Sequence, residues 1–329
     1  MMYLLIPLGI LLAAFAGVLI YCYRTCFYAP SDRQEDPYAR LEGEQYKALE
    51  EGIFYCTRRM EETPCRFVTT RSRDGLELSG RYYHFADDAP TLLLFHGYRS
   101  MALRDSAGGF LMGRKLGFNV LAVDQRAHGR SQGNTISFGV NERFDCLVWT
   151  EYINGLHDSK QPILLSGLSM GAATVLMASE LDLPENVVGI LADCPYSSPS
   201  GIIRKVAQDR HIPVKAAYPF IRMAAKFLGR FDLESCSAKD AVTRTSIPIL
   251  LIHGEDDRFV PWDMSKEIQA NCASPCQLLS VPNAGHGLCH TTDPTGYEKA
   301  LIRFLWQIPS LQEHLRNNEH AQKHFKGIL

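Results

Sequence analysis

Four short segments carry residue types that do covalent chemistry when a fold brings them together. The first is Gly167-Leu168-Ser169-Met170-Gly171, a serine between glycines at the end of the apolar run Ile163–Ser166. A tight strand-to-helix turn there lifts the hydroxyl out of a sheet, and the glycines let the backbone crowd together without Cβ clashes. Ser169 would also stand at a helix N-terminus, where the dipole favours developing negative charge. The same position suits a serine that merely caps the helix. A hydroxyl becomes a useful nucleophile only beside a base, and the base needs a group to orient it.

The other three segments supply those partners. His253-Gly254-Glu255-Asp256-Asp257-Arg258-Phe259-Val260-Pro261 follows the run Ile247–Ile252 and offers three acids. Asp257 is the choice, because it stands just before the apolar residues that close the loop. Glu255 and Asp256 read as solvated turn residues. Asn283-Ala284-Gly285-His286-Gly287 follows Gln277–Val281, and the glycines beside His286 permit an irregular approach to a neighbouring site. His290 is its nearest competitor. Phe95-His96-Gly97-Tyr98 ends the run Thr91–Phe95. A tetrahedral intermediate needs two donors aimed at its oxyanion. The backbone N–H groups of Met170 and Tyr98 are placed to provide them. His96 precedes the serine and is expected to pack the loop. Asp193, ending Val187–Ala192, is the alternative acid.

These segments need elements to hold them. Arg66–Thr70 and Leu76–Tyr83 alternate around Arg73-Asp74-Gly75, a hairpin pattern. From Thr91 onward, short continuous apolar runs alternate with helical patterns: Thr91–Phe95, Phe118–Val123, Ile163–Ser166, Val187–Ala192, Ile247–Ile252 and Gln277–Val281 as strands. Helices are expected near Met101–Leu116, Val140–Leu156, Ser169–Leu181, Asp263–Asn271 and Pro294–Gln307. Such runs fit strands buried on both faces of a parallel sheet. The expectation is a doubly wound α/β domain over 63–329 with helices on both faces. One interval, 195–245, has no strand and carries helical patterns at Ile202–Asp209 and Ala216–Leu228. An insertion there would lie above the carboxyl ends of the strands, as a cap.

Composition narrows the class. An apolar fraction of 46% and a charged fraction of 21% are those of a globular protein, and a net charge of −2 leaves no footprint for nucleic acid. Met2–Tyr23 holds no charged residue and is long enough to cross a hydrocarbon core of roughly 30 Å as a helix. No Lys or Arg precedes it, and the apolar run continues past Ala14-Phe15-Ala16, so it reads as an uncleaved anchor over 2–23 and not as a signal peptide. Residues 24–62 read as a linker (Ala29–Gln34) and a charged helical approach. Arg24, Arg33 and Arg40 follow the span, which places the large domain on the cytoplasmic side. Ten cysteines without regular spacing suggest free thiols, and no zinc-site spacing is present.

Ser169, Asp257 and His286 follow strands in the order nucleophile, acid, base. With that order, and with Asp124-Gln125-Arg126-Ala127-His128-Gly129-Arg130-Ser131 matching a D-x-R-x-H-G-x-S segment, the chain resembles the α/β-hydrolase superfamily from about Arg66 to Gln307. The N-terminal anchor and helical cap look like a bacterial membrane-associated branch of serine aminopeptidase-like and dienelactone-hydrolase-like proteins. The resemblance implies a serine hydrolase with no cofactor or metal, acting on a small-molecule or lipid-derived acyl substrate. It implies a structural role for Asp124–Ser131. A peptidase, thioesterase or acyltransferase would use the same triad, and a non-catalytic binding protein can share the fold. The basic residues of the cap (among them Arg204, Lys205 and Arg210) tilt weakly away from a site that reads free amino termini.

Overall fold

The computed structural model describes residues 2–30, 36–39, 43–47, 49–156 and 160–325. The expected linker beyond Pro30, with Arg33, and likewise Arg40, lies outside them. One eight-stranded sheet organises the chain, in the order β1-β2-β4-β3-β5-β6-β7-β8. Its strands are β1 Arg66–Arg71, β2 Glu77–Tyr83, β3 Thr91–Phe95, β4 Asn119–Asp124, β5 Ile163–Leu168, β6 Val187–Asp193, β7 Ile249–Gly254 and β8 Cys276–Val281. β1 and β2 form the expected antiparallel hairpin, β2 runs antiparallel to β4, and every other pairing is parallel. The predominantly apolar character of β3, β4 and β7 is explained by burial along their full lengths. Each fully buried Leu or Val side chain contributes roughly 2 kcal/mol of transfer free energy.

The helices used below are α1 Met2–Cys26, α2 Glu50–Glu61, α3 Ala107–Lys115, α4 Glu142–Asn154, α5 Met170–Ala178, α6 Pro199–Asp209, α7 Val214–Phe227, α8 Asp263–Asn271 and α9 Pro294–Trp306. They pack on both faces, giving two apolar clusters separated by the sheet. The helix expected over Met101–Leu116 is broken at Ser106 into a short turn, Ala102–Asp105, and α3. The break lets Asp105 face backwards, so that its Oδ2 accepts from the Gly97 N–H at 2.9 Å. Between β6 and β7 the chain makes α6, α7 and a short helix, Ala238–Ala241, with no strand. Ser198 starts α6, its Oγ accepting from Gly201 N at 3.0 Å, and Pro199 follows where a helix has no amide to lose.

α1 is not detached from the domain. Its foot is bonded in: the Tyr98 hydroxyl donates to Cys26 O at 2.8 Å, and Arg99 donates to Thr25 O at 2.8 Å and Tyr28 O at 3.3 Å. Tyr23 and Thr135 share a 2.6 Å hydrogen bond, and Phe27 is fully buried against Phe138 and Phe231. The last carbonyls of a helix have no partner within it. Here side chains from the loop after β3 supply one.

Candidate active site

Close packing forces the backbone at Ser169 into an unusual shape. A Cβ on Gly167 would come within 2.2 Å of Gly171 C, and one on Gly171 within 2.1 Å of Phe95 O, so both positions exclude any side chain. Ser169, between them, adopts φ 54° and ψ −112°, a region that non-glycine residues visit only when the surroundings impose it. Its N–H donates to Asp193 O at 2.8 Å and its carbonyl accepts from Ala173 N at 3.0 Å. Its hydroxyl makes no capping bond to α5, so a merely capping serine is not what the turn presents.

Two further strand ends converge beside it. Asp257 is buried while Glu255 and Asp256 are exposed, as their places in the loop suggested. Asp257 Oδ1 accepts from Phe259 N at 2.9 Å and Val260 N at 2.8 Å; Oδ2 accepts from His286 Nδ1 at 2.7 Å. His253 Nε2 lies 3.3 Å from the same Oδ2, its ring held by Ser265 Oγ and Val260 O. Burial alone would raise the Asp257 pKa. The hydrogen bonds from His253, His286 and Val260 N outweigh it and hold the carboxyl well below its usual range. An acceptor bonded to Nδ1–H fixes the His286 tautomer and leaves Nε2 free to take a proton. Phe259 packs edge-on against the imidazole, ring centroids 5.1 Å apart. Among the described residues no hydrogen bond joins Ser169 Oγ to His286. Nε2 instead faces Cys194 Sγ at 4.0 Å.

The loop after β3 closes the other side. A Cβ on Gly97 would stand 3.6 Å from Ser169 Cβ, which puts this loop directly against the serine. Neither Tyr98 N–H nor Met170 N–H has a protein acceptor among the described residues. The loop is held from beneath: Arg99, at φ 52°, donates its N–H to His128 Nε2 at 3.1 Å, and His96 Nε2 accepts from Gln125 N at 3.0 Å. His96 is thus a packing residue. The segment Asp124–Ser131 works the same way, since Arg126 makes a bidentate pair with Asp145 at 2.6 and 2.7 Å and Ser131 Oγ donates to Asp124 O at 2.6 Å. His290 lies apart, stacked edge-on with Tyr297.

Asp193, the alternative acid, does not reach His286. Its residue keeps partial exposure, but Oδ1 is shut away from water and has no partner. Burial raises its pKa to about 6 against the opposing pull of His253, His286 and the Cys289 thiol. A carboxyl whose folded pKa is raised stabilises the fold only while protonated. Its contribution is complete below the unfolded value and is lost as pH rises through about 6. Asp193→Asn is therefore expected to gain on the wild type by on the order of 3 kcal/mol between pH 4 and pH 7. Urea unfolding at both pH values checks this, and parallel pH slopes would contradict it.

Sequence reasoning missed four neighbours of the site. Tyr46 Oη donates to His286 O at 3.0 Å across 240 residues of chain, and Gln45 fills the space over Gly285. No local signal marks either residue. His253 opens the segment that contains Asp257, and its position at the strand end was the available clue. Cys194 directly follows β6 at φ 45°, and a strand-end position was again the hint. Cys194, Asp257 and His286 offer metal-ligand atoms within 4.8 Å of one another. However, burial holds the proton on the Cys194 thiol, and Asp257 and His286 are engaged with each other at 2.7 Å. The trio suits a hydrogen-bonded pair better than an ion.

Comparison with known proteins agrees with this architecture. Residues 92–300 match the sequence model of the alpha/beta hydrolase family. The chain is 26% identical over 256 residues to the uncharacterized protein YqkD of Bacillus subtilis, covering 77% of this chain and 82% of that protein. It is 24% identical over 285 residues to the bifunctional esterase/perhydrolase DCH of Acinetobacter calcoaceticus, covering 73% and 99% respectively. Among solved structures, the Pyrococcus furiosus esterase Pf2001 superposes with a TM-score of 0.62 at 20% identity, over 84% of this chain and 98% of that one.

Proposed function

Because the chain belongs to the alpha/beta hydrolase family, we propose that it is a serine hydrolase that cleaves carboxylic esters through an acyl-enzyme, held at a membrane by α1. The observation that carries the reading is the 2.7 Å bond from His286 Nδ1 to buried Asp257, beside a serine strained onto an elbow. The esterase/perhydrolase DCH among its relatives supports the same class. In this reading His286 Nε2 takes the Ser169 proton as Oγ bonds to the acyl carbonyl carbon. The Met170 and Tyr98 amides bind the oxyanion. The protonated imidazole then gives its proton to the departing alkoxide, and water, deprotonated by the same nitrogen, releases the acid and restores the serine. Asp257 stabilises the imidazolium without itself taking the proton.

The apolar segment Ile6–Cys26 and Arg24 at its foot support anchoring with the catalytic domain on the cytoplasmic side. Labelling membrane and soluble fractions with a fluorophosphonate, followed by mapping of the modified residue, tests both parts. The expected adduct is on Ser169 and in the membrane fraction. Intact folded protein that takes no label would overturn the assignment.

A further inference from the structure

A span and a docked helix make competing demands on α1. Phe15 packs on Phe220 of α7 with ring centroids 6.0 Å apart, and Leu19 is buried. At Phe15, α1 therefore meets the cap, and its foot is bonded to the loop after β3. Met2–Ala14 precedes the Phe15 contact along the helix, and Ile6–Ala14 is exposed throughout. Thirteen helical residues reach roughly 20 Å at 1.5 Å per residue. A hydrocarbon core is roughly 30 Å thick. If the cap stayed in water, this part would fall short by about 10 Å.

The surface of α7 resolves the shortfall. Phe220, Met223 and Phe227 recur at helical spacing, so they form one stripe that begins at the α1 contact. Phe227 ends that stripe 67% exposed, and Leu228 beside it is 40% exposed. Lys215, Arg222 and Lys226 form a second, exposed stripe at helical spacing, with Asp232 as the acid that Arg222 and Lys226 share. An apolar stripe beside a basic one is the pattern of a helix lying in the plane of a membrane interface, its apolar face about 5–10 Å deep. At the foot of α1, Arg24, Arg99 and Arg104, together with the acid Asp36, line a cavity of about 640 Å³ in which the arginines outnumber the carboxylate. That adds positive charge at the level where anionic headgroups would lie.

The geometry points to one membrane-seating surface made of α1 and the cap helix α7 together, with a bilayer carrying anionic lipid as its partner. Sinking α7 by about 10 Å supplies the length that α1 lacks, and only then does α1 cross. The cap, whose Lys205 bonds to the Arg258 carbonyl beside Asp257, is thus immersed, and an amphiphilic acyl substrate would come from the same lipid surface. This rests on reading α1 as an anchor, so the test separates the two claims.

An environment-sensitive fluorescent amino acid is placed by codon suppression at position 11, 227 or 182 of the full chain. Each protein is reconstituted into phosphatidylcholine vesicles containing phosphatidylglycerol, with doxyl groups on the acyl chains. Leu11 and Asp182 are the inside and outside references, both exposed on the protein. The expected result is that the probe at Phe227 is quenched within about twofold of the probe at Leu11, while that at Asp182 is not. Quenching at Leu11 with none at Phe227 overturns the proposal and leaves the anchor standing. No quenching at Leu11 overturns both.

Discussion

Ser169→Ala is expected to lower ester turnover by roughly four orders of magnitude or more while leaving the fold intact. The magnitude follows from the role proposed for the hydroxyl. Without Oγ no acyl-enzyme forms, and only binding and the two backbone donors still favour the hydrolysis of bound ester. Stability should barely change, because alanine keeps the Cβ that the elbow accommodates and the hydroxyl makes no capping bond to α5. The backbone strain at φ 54° is paid equally by both residues. Active-site titration with a fluorophosphonate, next to a thermal melt, separates lost chemistry from lost protein. The melt should coincide with wild type and the titration should fall to zero.

Cys194 makes that experiment sharper, because its Sγ is the group that faces His286 Nε2 at 4.0 Å. A thiol beside a base is itself a candidate nucleophile. Burial argues against it: the Cys194 pKa is pushed well above its ordinary range, chiefly by desolvation and then by Asp193 and Asp257, so the thiolate is disfavoured where it would be needed. Cys194→Ala should therefore keep its fluorophosphonate titre. Were Cys194→Ala inert and Ser169→Ala active, the roles given to the two residues would have to be exchanged.

The succession of strands along the chain and the placement of all four motifs at their carboxyl ends were legible because each rests on local pattern. A continuous apolar run, a glycine and a polar residue are enough to mark a buried parallel strand and its loop. The burial of Asp257 against the exposure of its two neighbours was also local, since it follows from Phe259-Val260-Pro261. What could not be read joins segments far apart in the chain. The bond from Tyr46 to the His286 carbonyl, the Arg99 bonds to the end of α1 and the meeting of Phe15 with Phe220 all depend on how whole elements dock. An apolar segment such as α1 has an unbroken apolar surface, so its sequence names a greasy helix without naming the face that packs. The break at Ser106 was missed for a related reason. Asp105 turns back to Gly97, a contact that helical periodicity does not encode.

The two candidate acids differ in what each can do for the base, and substitution should separate them on kinetics. Asp257→Asn is expected to cut kcat by roughly 10²- to 10⁴-fold with little change in KM, because the amide cannot stabilise an imidazolium and its NH₂ can impose the wrong tautomer on His286. Nor can it reproduce the charge that His253 and the Phe259 and Val260 amides surround, so a stability loss should accompany it. Asp193→Asn should leave kcat within about threefold of wild type, since Oδ1 reaches no partner and His286 Nδ1 is already engaged by Asp257. The distinction is physical. The Asp257 carboxyl is kept charged by donors on both oxygens, whereas Asp193 is pushed towards its neutral form by burial. Only a charged acid can steady the positive ring in the transition state. Measured per titrated active site, so that misfolded protein drops out, a larger kcat loss for Asp193→Asn than for Asp257→Asn would move the acid from the end of β7 to the end of β6.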